Sequence, residues 1–241
     1  MNTTDHVFAY QQFRIHQNHA AMKVGTDSDL LGTLSEGGST ILDIGTGTGV
    51  LSLMLAQRYP EARITAIEID DNAMIDARQN IDESPWHNRI SLHHISFQDY
   101  LQSPERTLFH SVVCNPPYFD RSLECPDKGR TRARHSSSLP FPVLIQGAYS
   151  LLYPDGVFSV CIPPEVYDLF VDECRRVGFS MLHLYKIQTI PNHPVKRFVL
   201  VLSKGRVECA DEQTFCMRNA DRTRSPWYQH QMRHFLICGD K

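Results

Sequence analysis

Nine residues constrain this chain more than any others: Ile41-Leu-Asp-Ile-Gly-Thr-Gly-Thr-Gly49, an apolar run that breaks into glycines at alternate positions. The apolar half predicts a buried strand, and the glycines a sharp turn into a helix. With no side chains at Gly45, Gly47 and Gly49, the backbone turns tightly and a ligand can press against it. Val50 stands where a dinucleotide-binding G-x-x-G needs its last glycine, and no Lys-Ser/Thr follows as in a phosphate-binding P-loop. The spacing leaves a crevice for an adenosyl ligand.

The rest of the chain agrees with such a crevice, because short apolar runs alternate with amphipathic stretches. Strands are expected at Thr40–Ile44, Arg63–Glu68, Ile90–Ile95, Leu108–Cys114, Val157–Ile162, Met181–Thr189 and Arg197–Ser203. Helices are expected from Gly49 to Arg58, from a cap at Asp70 or Asp71 towards Ile81, from Leu139 to Tyr153, and from Pro163-Pro164 to Gly178. The turn Pro154-Asp155-Gly156 should close the third of these. The expected fold is α/β and Rossmann-like, a mostly parallel seven-stranded sheet with helices on both faces. Residues 1–241 read as one domain: an N-terminal extension over 1–39, a core over 40–204 and a C-terminal extension over 205–241.

Three carboxylates fall at the sheet edge where ligands of such folds lie. Asp43, just before the glycines, would repel a pyrophosphate and suits a ligand carrying positive charge. Glu68 ends the second strand and can accept both hydrogens of a ribose diol. Asp99, in the loop after the third strand, is placed to accept from an adenine amino group. The alternative for Glu68, with Asp70 and Asp71 behind it, is a plain helix cap.

Asn115-Pro116-Pro117-Tyr118 follows the fourth strand at the same edge. Two prolines stiffen the turn and remove two donors, leaving the Asn115 side-chain oxygen and the Pro116 carbonyl as acceptors. An exocyclic NH₂ has two protons for them, and fixing both turns its nitrogen lone pair outward. Tyr118 offers a face on which a planar target can stack. The tetrad resembles that of amino-methyltransferases acting on adenine, cytosine or guanine amines and on glutamine amides, and does not choose among these planar amines.

Composition adds exclusions. Seven cysteines without C-x-x-C spacing, and histidines whose closest pair is His93-His94, predict reduced thiols and no metal site. No apolar run reaches membrane-spanning length, and Met1 to His6 lacks a basic-then-apolar leader, so a cytosolic protein is expected. The net charge is −3. Its distribution is uneven: five Lys/Arg lie between Arg121 and His135, and Arg218, Arg222, Arg224 and Arg233 oppose Asp221 alone between Met217 and His234. Two such segments suit either a phosphate-binding face or ordinary solvated surface.

The glycine loop with its acids resembles the Rossmann-like S-adenosylmethionine methyltransferases, and the tetrad resembles that of their amino-methylating branch. His16-Gln-Asn-His-Ala-Ala-Met-Lys-Val-Gly-Thr-Asp27 with Leu30-Leu31-Gly32, then Phe119, Glu124-Cys125 and Arg132-Ala-Arg134, and finally Pro226-Trp227-Tyr228 before Phe235-Leu236, resemble the bacterial tRNA (adenine-N6) methyltransferases of the valine-tRNA type. That resemblance implies S-adenosylmethionine as cofactor and the N6 amine of adenosine 37, beside the anticodon, as target. It implies cofactor contacts from Lys23, Thr26, Asp43, Gly45, Thr46, Gly47, Gly49, Glu68, Asp99 and Asn115, with Lys23 and Thr26 over the methionine end. Asn115, Pro116, Pro117 and Tyr118 become the catalytic group. Arg130, Arg132 and Arg134 would meet phosphates of the tRNA anticodon stem-loop, and Phe119 or Trp227 would stack on its bases; Trp227 equally suits a core role. Cys114 is an unusual neighbour for the tetrad. No protein partner is evident. The alternatives are an rRNA guanine-N2 or protein glutamine methyltransferase, and a non-enzymatic S-adenosylmethionine-binding RNA chaperone.

Overall fold

Residues 6–116 and 139–237 are described by the computed structural model. Strand β1 (Val7–Ala9) and strand β2 (Arg14–His16) pair antiparallel in a small hairpin ahead of helix α1 (Thr26–Leu34). The alternating core follows: β3 (Thr40–Ile44), α2 (Val50–Arg58), β4 (Arg63–Glu68), α3 (Asp71–Asp82), β5 (Ile90–His94), α4 (Phe97–Gln102) and β6 (Phe109–Cys114). After the tetrad come α5 (Phe141–Leu151), β7 (Leu152–Ile162), α6 (Tyr167–Val177), β8 (Ser180–Gln188), β9 (Val195–Ser203), β10 (Asp211–Cys216) and α7 (Pro226–Met232).

The main sheet has the order β10-β8-β9-β7-β6-β3-β4-β5, and only β9 runs against the others. The Rossmann-like reading holds, but among the described residues the sheet has eight strands rather than seven. The added strand, β10, lies in the expected C-terminal extension and pairs parallel with β8. Its sequence, Asp-Glu-Gln-Thr-Phe-Cys, lacks a buried strand's apolar run because it is an edge with polar residues facing solvent.

Side chains alternate across the sheet with period two. Ile41, Ile64, Val113, Cys161 and Val199 face a cluster shared with α1, α2, the hairpin, Met232 and Phe235. Leu42, Ile67, Val112, Phe158 and Leu200 face the opposite cluster with α4, α5 and α6. Asp70 caps α3 by accepting from the Ala73 N–H at 2.8 Å. Gly178 ends α6 in the left-handed region at φ 111°, with Phe179 N–H donating to Cys174 O and Gly178 N–H to Arg175 O.

One local expectation fails. Pro154-Asp155-Gly156 does not separate helix from strand, because β7 already begins at Leu152. Phe109 pairs with Leu152 and Ser111 with Val157, so residues 153–156 bulge out within the strand. Pairing with β6 on both sides of the bulge outweighs the local turn preference.

Candidate functional site

All three glycines of the loop after β3 adopt left-handed backbone, at φ 69°, 58° and 82°. Residues with a Cβ resist this region, which is why alternate positions are glycine. The loop is tied down where Gly45 N–H and Thr46 N–H both donate to Ile67 O, at 2.9 and 3.0 Å. A Cβ built at Gly45 or Gly47 would meet nothing within 4 Å, so the loop faces open space on its outer side. It forms a cradle for a ligand.

Asp43 is buried beneath this loop, on the α2 side of the sheet. Its Oδ2 accepts from the hydroxyls of Thr46 at 2.6 Å and Ser52 at 2.7 Å. Among the described residues its buried Oδ1 has no hydrogen-bond partner. Burial pushes the carboxyl up to about 6; the Ser52 and Thr46 hydroxyls oppose the shift and the charge of Glu68 adds to it. A buried acceptor left unanswered is costly, and a cationic or N–H-bearing ligand group would satisfy it. Asp43 and the open cradle above it thus fit the charge and shape of a ligand such as S-adenosylmethionine.

Glu68 lies at the end of β4, directly beside the loop. Its Oε2 accepts from Gly47 N–H at 2.8 Å, and its Oε1 from Ile69 N–H at 2.8 Å and Asp70 N–H at 2.9 Å. The carboxylate is therefore rigidly aimed. Oε1 is committed, and Oε2 retains one lone-pair site for a hydroxyl. Cys114, the residue before the tetrad, is buried, and burial together with Asp43 and Glu68 raises its thiol well above the usual range. It stays protonated and inert.

Asn115 and Pro116 leave β6 beside Gly45, since Cys114 pairs with Ile44 across the two strands. Asn115 is half-buried and Pro116 buried. Pro117, Tyr118, Phe119, Arg130, Arg132 and Arg134 lie outside the described residues.

Asp99 requires a correction. It sits not in a loop but in the first turn of α4, where its N–H donates to Ser96 Oγ at 3.0 Å and its Oδ2 accepts from that hydroxyl at 2.5 Å. The serine two residues after β5 starts the helix earlier than expected, and the carboxylate closes a reciprocal cap. Asp99 remains exposed at the ligand edge, with Oδ1 outside this bond.

Thr26 is the first residue of α1, whose cap is Gly25. Lys23 is exposed, and its ammonium donates to Gln17 O. Asp27 next to Thr26 receives Arg197 Nε on both carboxylate oxygens at 2.9 Å, which fastens the start of α1 to the start of β9. Since β9 runs opposite to β7, its start lies at the ligand edge of the sheet. Trp227 stacks flat on Phe215, with ring centroids 4.4 Å apart and planes 8° apart. Both rings are half-buried and pack against the core cluster.

Sequence reasoning missed the polar residues that hold the N-terminal segment. Asp76 is fully buried on α3 and accepts from His19 N–H at 3.0 Å and Ala20 N–H at 2.8 Å, with His19 Nδ1 2.8 Å from its other oxygen. Burial alone would raise this carboxyl, but the Ala20 and His19 donors outweigh it and hold it below the ordinary range. Asn80, one turn on, accepts from His16 N–H and donates to both His16 O and Thr48 O, so it links the hairpin to the glycine loop. Asp29 on α1 is buried against the Tyr10 hydroxyl at 2.7 Å and the Tyr228 hydroxyl at 3.4 Å, and burial pushes it up to about 6. These partners are 19 to 199 residues apart in sequence, and no local pattern marks them.

Residues 18–127 match the family model described as the methyltransferase small domain. The chain is 43% identical over 204 residues to the tRNA1(Val) (adenine(37)-N6)-methyltransferase of Phocaeicola vulgatus, covering 84% of this chain and 86% of that protein. It is 39% identical to the Vibrio parahaemolyticus protein of the same name, over 82% of each chain. Among solved structures it resembles a protein of Agrobacterium tumefaciens described as a predicted O-methyltransferase, with a TM-score of 0.66 at 19% identity over 87% of this chain and 96% of that one. It also resembles M. jannaschii TYW2 in complex with AdoMet, with a TM-score of 0.56 at 13% identity over 84% and 86% of the two chains. At these identities the structural likenesses carry the fold alone.

Proposed function

The chain belongs to the tRNA1(Val) (adenine(37)-N6)-methyltransferase family, and on that premise we propose that it methylates the exocyclic N6 amine of adenosine 37 in a valine tRNA. One observation carries this reading beyond the likeness. The glycine cradle, with the unpartnered Asp43 oxygen beneath it, lies on the strand next to the one that delivers Asn115 and Pro116.

S-adenosylmethionine, when bound, supplies an electrophilic methyl group. Asp43, Gly45, Thr46, Gly47, Gly49 and Glu68 are the residues that would hold it, with Asp99 towards the adenine and Lys23 and Thr26 towards the methionine carboxylate. The Asn115 side-chain oxygen would accept a hydrogen bond from one N–H of the target amine and the Pro116 carbonyl from the other, turning the nitrogen lone pair out of conjugation with the ring. Tyr118 would stack on the extruded base, with Pro117 stiffening the turn between them. No general base is needed beforehand, because an aromatic amine is neutral at pH 7; its surplus proton leaves to water after transfer. Catalysis is then largely positioning, which contributes on the order of 7–11 kcal/mol.

Phe119, Arg130, Arg132 and Arg134 are assigned to the anticodon stem-loop on chemistry alone. Residues 1–39 are assigned as an extension covering the cofactor and 205–241 as a C-terminal extension of the catalytic core 40–204, rather than as separate domains. Among the described residues no helix is long and apolar enough to cross a membrane, and a tRNA substrate suits a place in the cytosol.

The test is nucleoside mass spectrometry of valine tRNA after incubation with the protein and isotopically labelled cofactor. N6-methyladenosine is expected, and N2-methylguanosine or no product would overturn the reading. Asn115→Ala should lower turnover by on the order of 100-fold or more while cofactor affinity, read by calorimetry, stays within a few-fold. Undiminished turnover would refute the two-acceptor mechanism.

A further inference from the structure

The arginines between Met217 and Ser225 are not absorbed by the site described above. Because β10 is parallel to β8, the residues after Cys216 leave the sheet at the same edge as the glycine loop, Glu68 and Asn115. Met217 N–H and Arg218 N–H donate to Gln188 O and Thr189 O, each at 2.9 Å, and so extend that pairing past the strand end. The chain then closes a tight turn. Arg218 and Arg224 form an antiparallel bridge, Asn219 N–H donates to Thr223 O, and Ser225 N–H donates to Met217 O. At its tip Arg222 is held in left-handed backbone at φ 67°.

This turn concentrates positive charge. Arg218 and Arg224 are direct neighbours across the bridge, an arrangement that like charges disfavour. The Arg218 guanidinium donates to Arg222 O at 2.7 Å, which draws the third arginine of the turn close. Asp221 is the turn's own acid, and Thr223 occupies its Oδ1 through both N–H and hydroxyl. Among the described residues none of these three guanidinium groups forms a salt bridge with a carboxylate, whereas Arg175, Arg176, Lys186 and Arg197 each do; Arg224 acts on the buried Asp29 only through its field. The acids of this region, Asp211 and Glu212, sit at the far end of β10 and pair with His183 and Lys186. The strand is thus charge-polarised, with its positive end at the ligand edge.

We propose that the Arg218–Arg224 turn is a docking point for the phosphate backbone of the tRNA substrate. The inference rests on the tRNA reading and adds a second contact surface to it. By strand count the turn lies four steps of roughly 4.8 Å from β6, about 19 Å along the edge from Asn115. A base extruded at Asn115 therefore leaves the flanking helical stem free to lie over the turn. Phosphates between Arg218 and Arg224 relieve their repulsion, and Arg222 at the tip adds a third contact.

The experiment measures binding of full-length protein to valine tRNA by fluorescence anisotropy across a potassium chloride series. Its arms are the wild type, R218Q/R222Q and R218K/R222K; Arg224, half-buried near Asp29, is left in place. R218Q/R222Q should bind on the order of tenfold more weakly, with a salt slope lower by about two. R218K/R222K should keep most of the wild-type slope. Cofactor affinity and melting temperature should be unchanged in both variants. If the wild type binds and methylates the tRNA while R218Q/R222Q keeps its affinity and salt slope, this proposal alone falls. If the wild type does not bind tRNA at all, the functional reading falls with it.

Discussion

Asp43 shows how much a single buried carboxyl can reveal. Its pKa is pushed up to about 6, chiefly by burial. A carboxyl whose folded pKa exceeds its unfolded one favours the folded state fully only below the unfolded value near 4. That advantage disappears as pH rises through 6. At neutral pH the ionised Asp43 therefore costs about 3 kcal/mol, which is two pKa units expressed as energy. Asp43→Asn should raise the melting temperature at pH 8 by several degrees, with the gain vanishing near pH 4 in a calorimetric series. The same change should weaken S-adenosylmethionine by at least tenfold in titration calorimetry. A variant that gained stability and kept full cofactor affinity would remove Asp43 from the binding site. Asp43 was identified from its place before the glycines, while its unpartnered oxygen was not, since burial is a property of the packed molecule.

Among the elements, α3 has a role that its position in the alternating pattern does not suggest. It carries Asp76 and Asn80, one turn apart, and with them straps residues 16–20 against the glycine loop. Asp76→Ala would leave two N–H groups unsatisfied, at about 1–3 kcal/mol each. Faster hydrogen exchange over residues 16–24 and a cofactor KM raised on the order of tenfold are expected. If exchange there is unchanged, the strap is not held by Asp76. The pKa of Asp76 is lowered by its Ala20 and His19 donors, so the stability it contributes is present above the ordinary carboxylate range and is lost as pH falls. Acid should loosen this strap, whereas it favours the folded form of Asp43.

For the whole molecule, the two extensions depend on each other. Gln11 N–H donates to Phe235 O, the Gln11 side chain donates to Arg233 O and Leu236 O, and Tyr10 bridges Leu236. Met232 and Phe235 are buried in one cluster with Tyr10, Phe13 and Ile15. Each buried side chain of this size contributes about 1.5–3 kcal/mol. Ending the chain after Ser225 should lower the melting temperature by 10 °C or more and expose residues 6–20 to limited proteolysis. An unchanged proteolytic pattern at the N-terminus would show that the extensions fold independently.

The strand-glycine-helix unit, the acids near it and the Asn115 turn were legible in sequence because each is a local pattern, set by backbone freedom and by the two periods of buried elements. Sequence also yielded the alternating core and, through the flanking segments, the family. The tertiary structure decided the rest. It turned the loop position of Asp99 into a helix cap, made an edge strand of polar residues 211–216, and brought Asp76, Asn80, Asp29 and Arg197 to partners far along the chain. Those contacts follow from which surfaces meet on folding, and residues that meet only then leave no periodic trace in the chain.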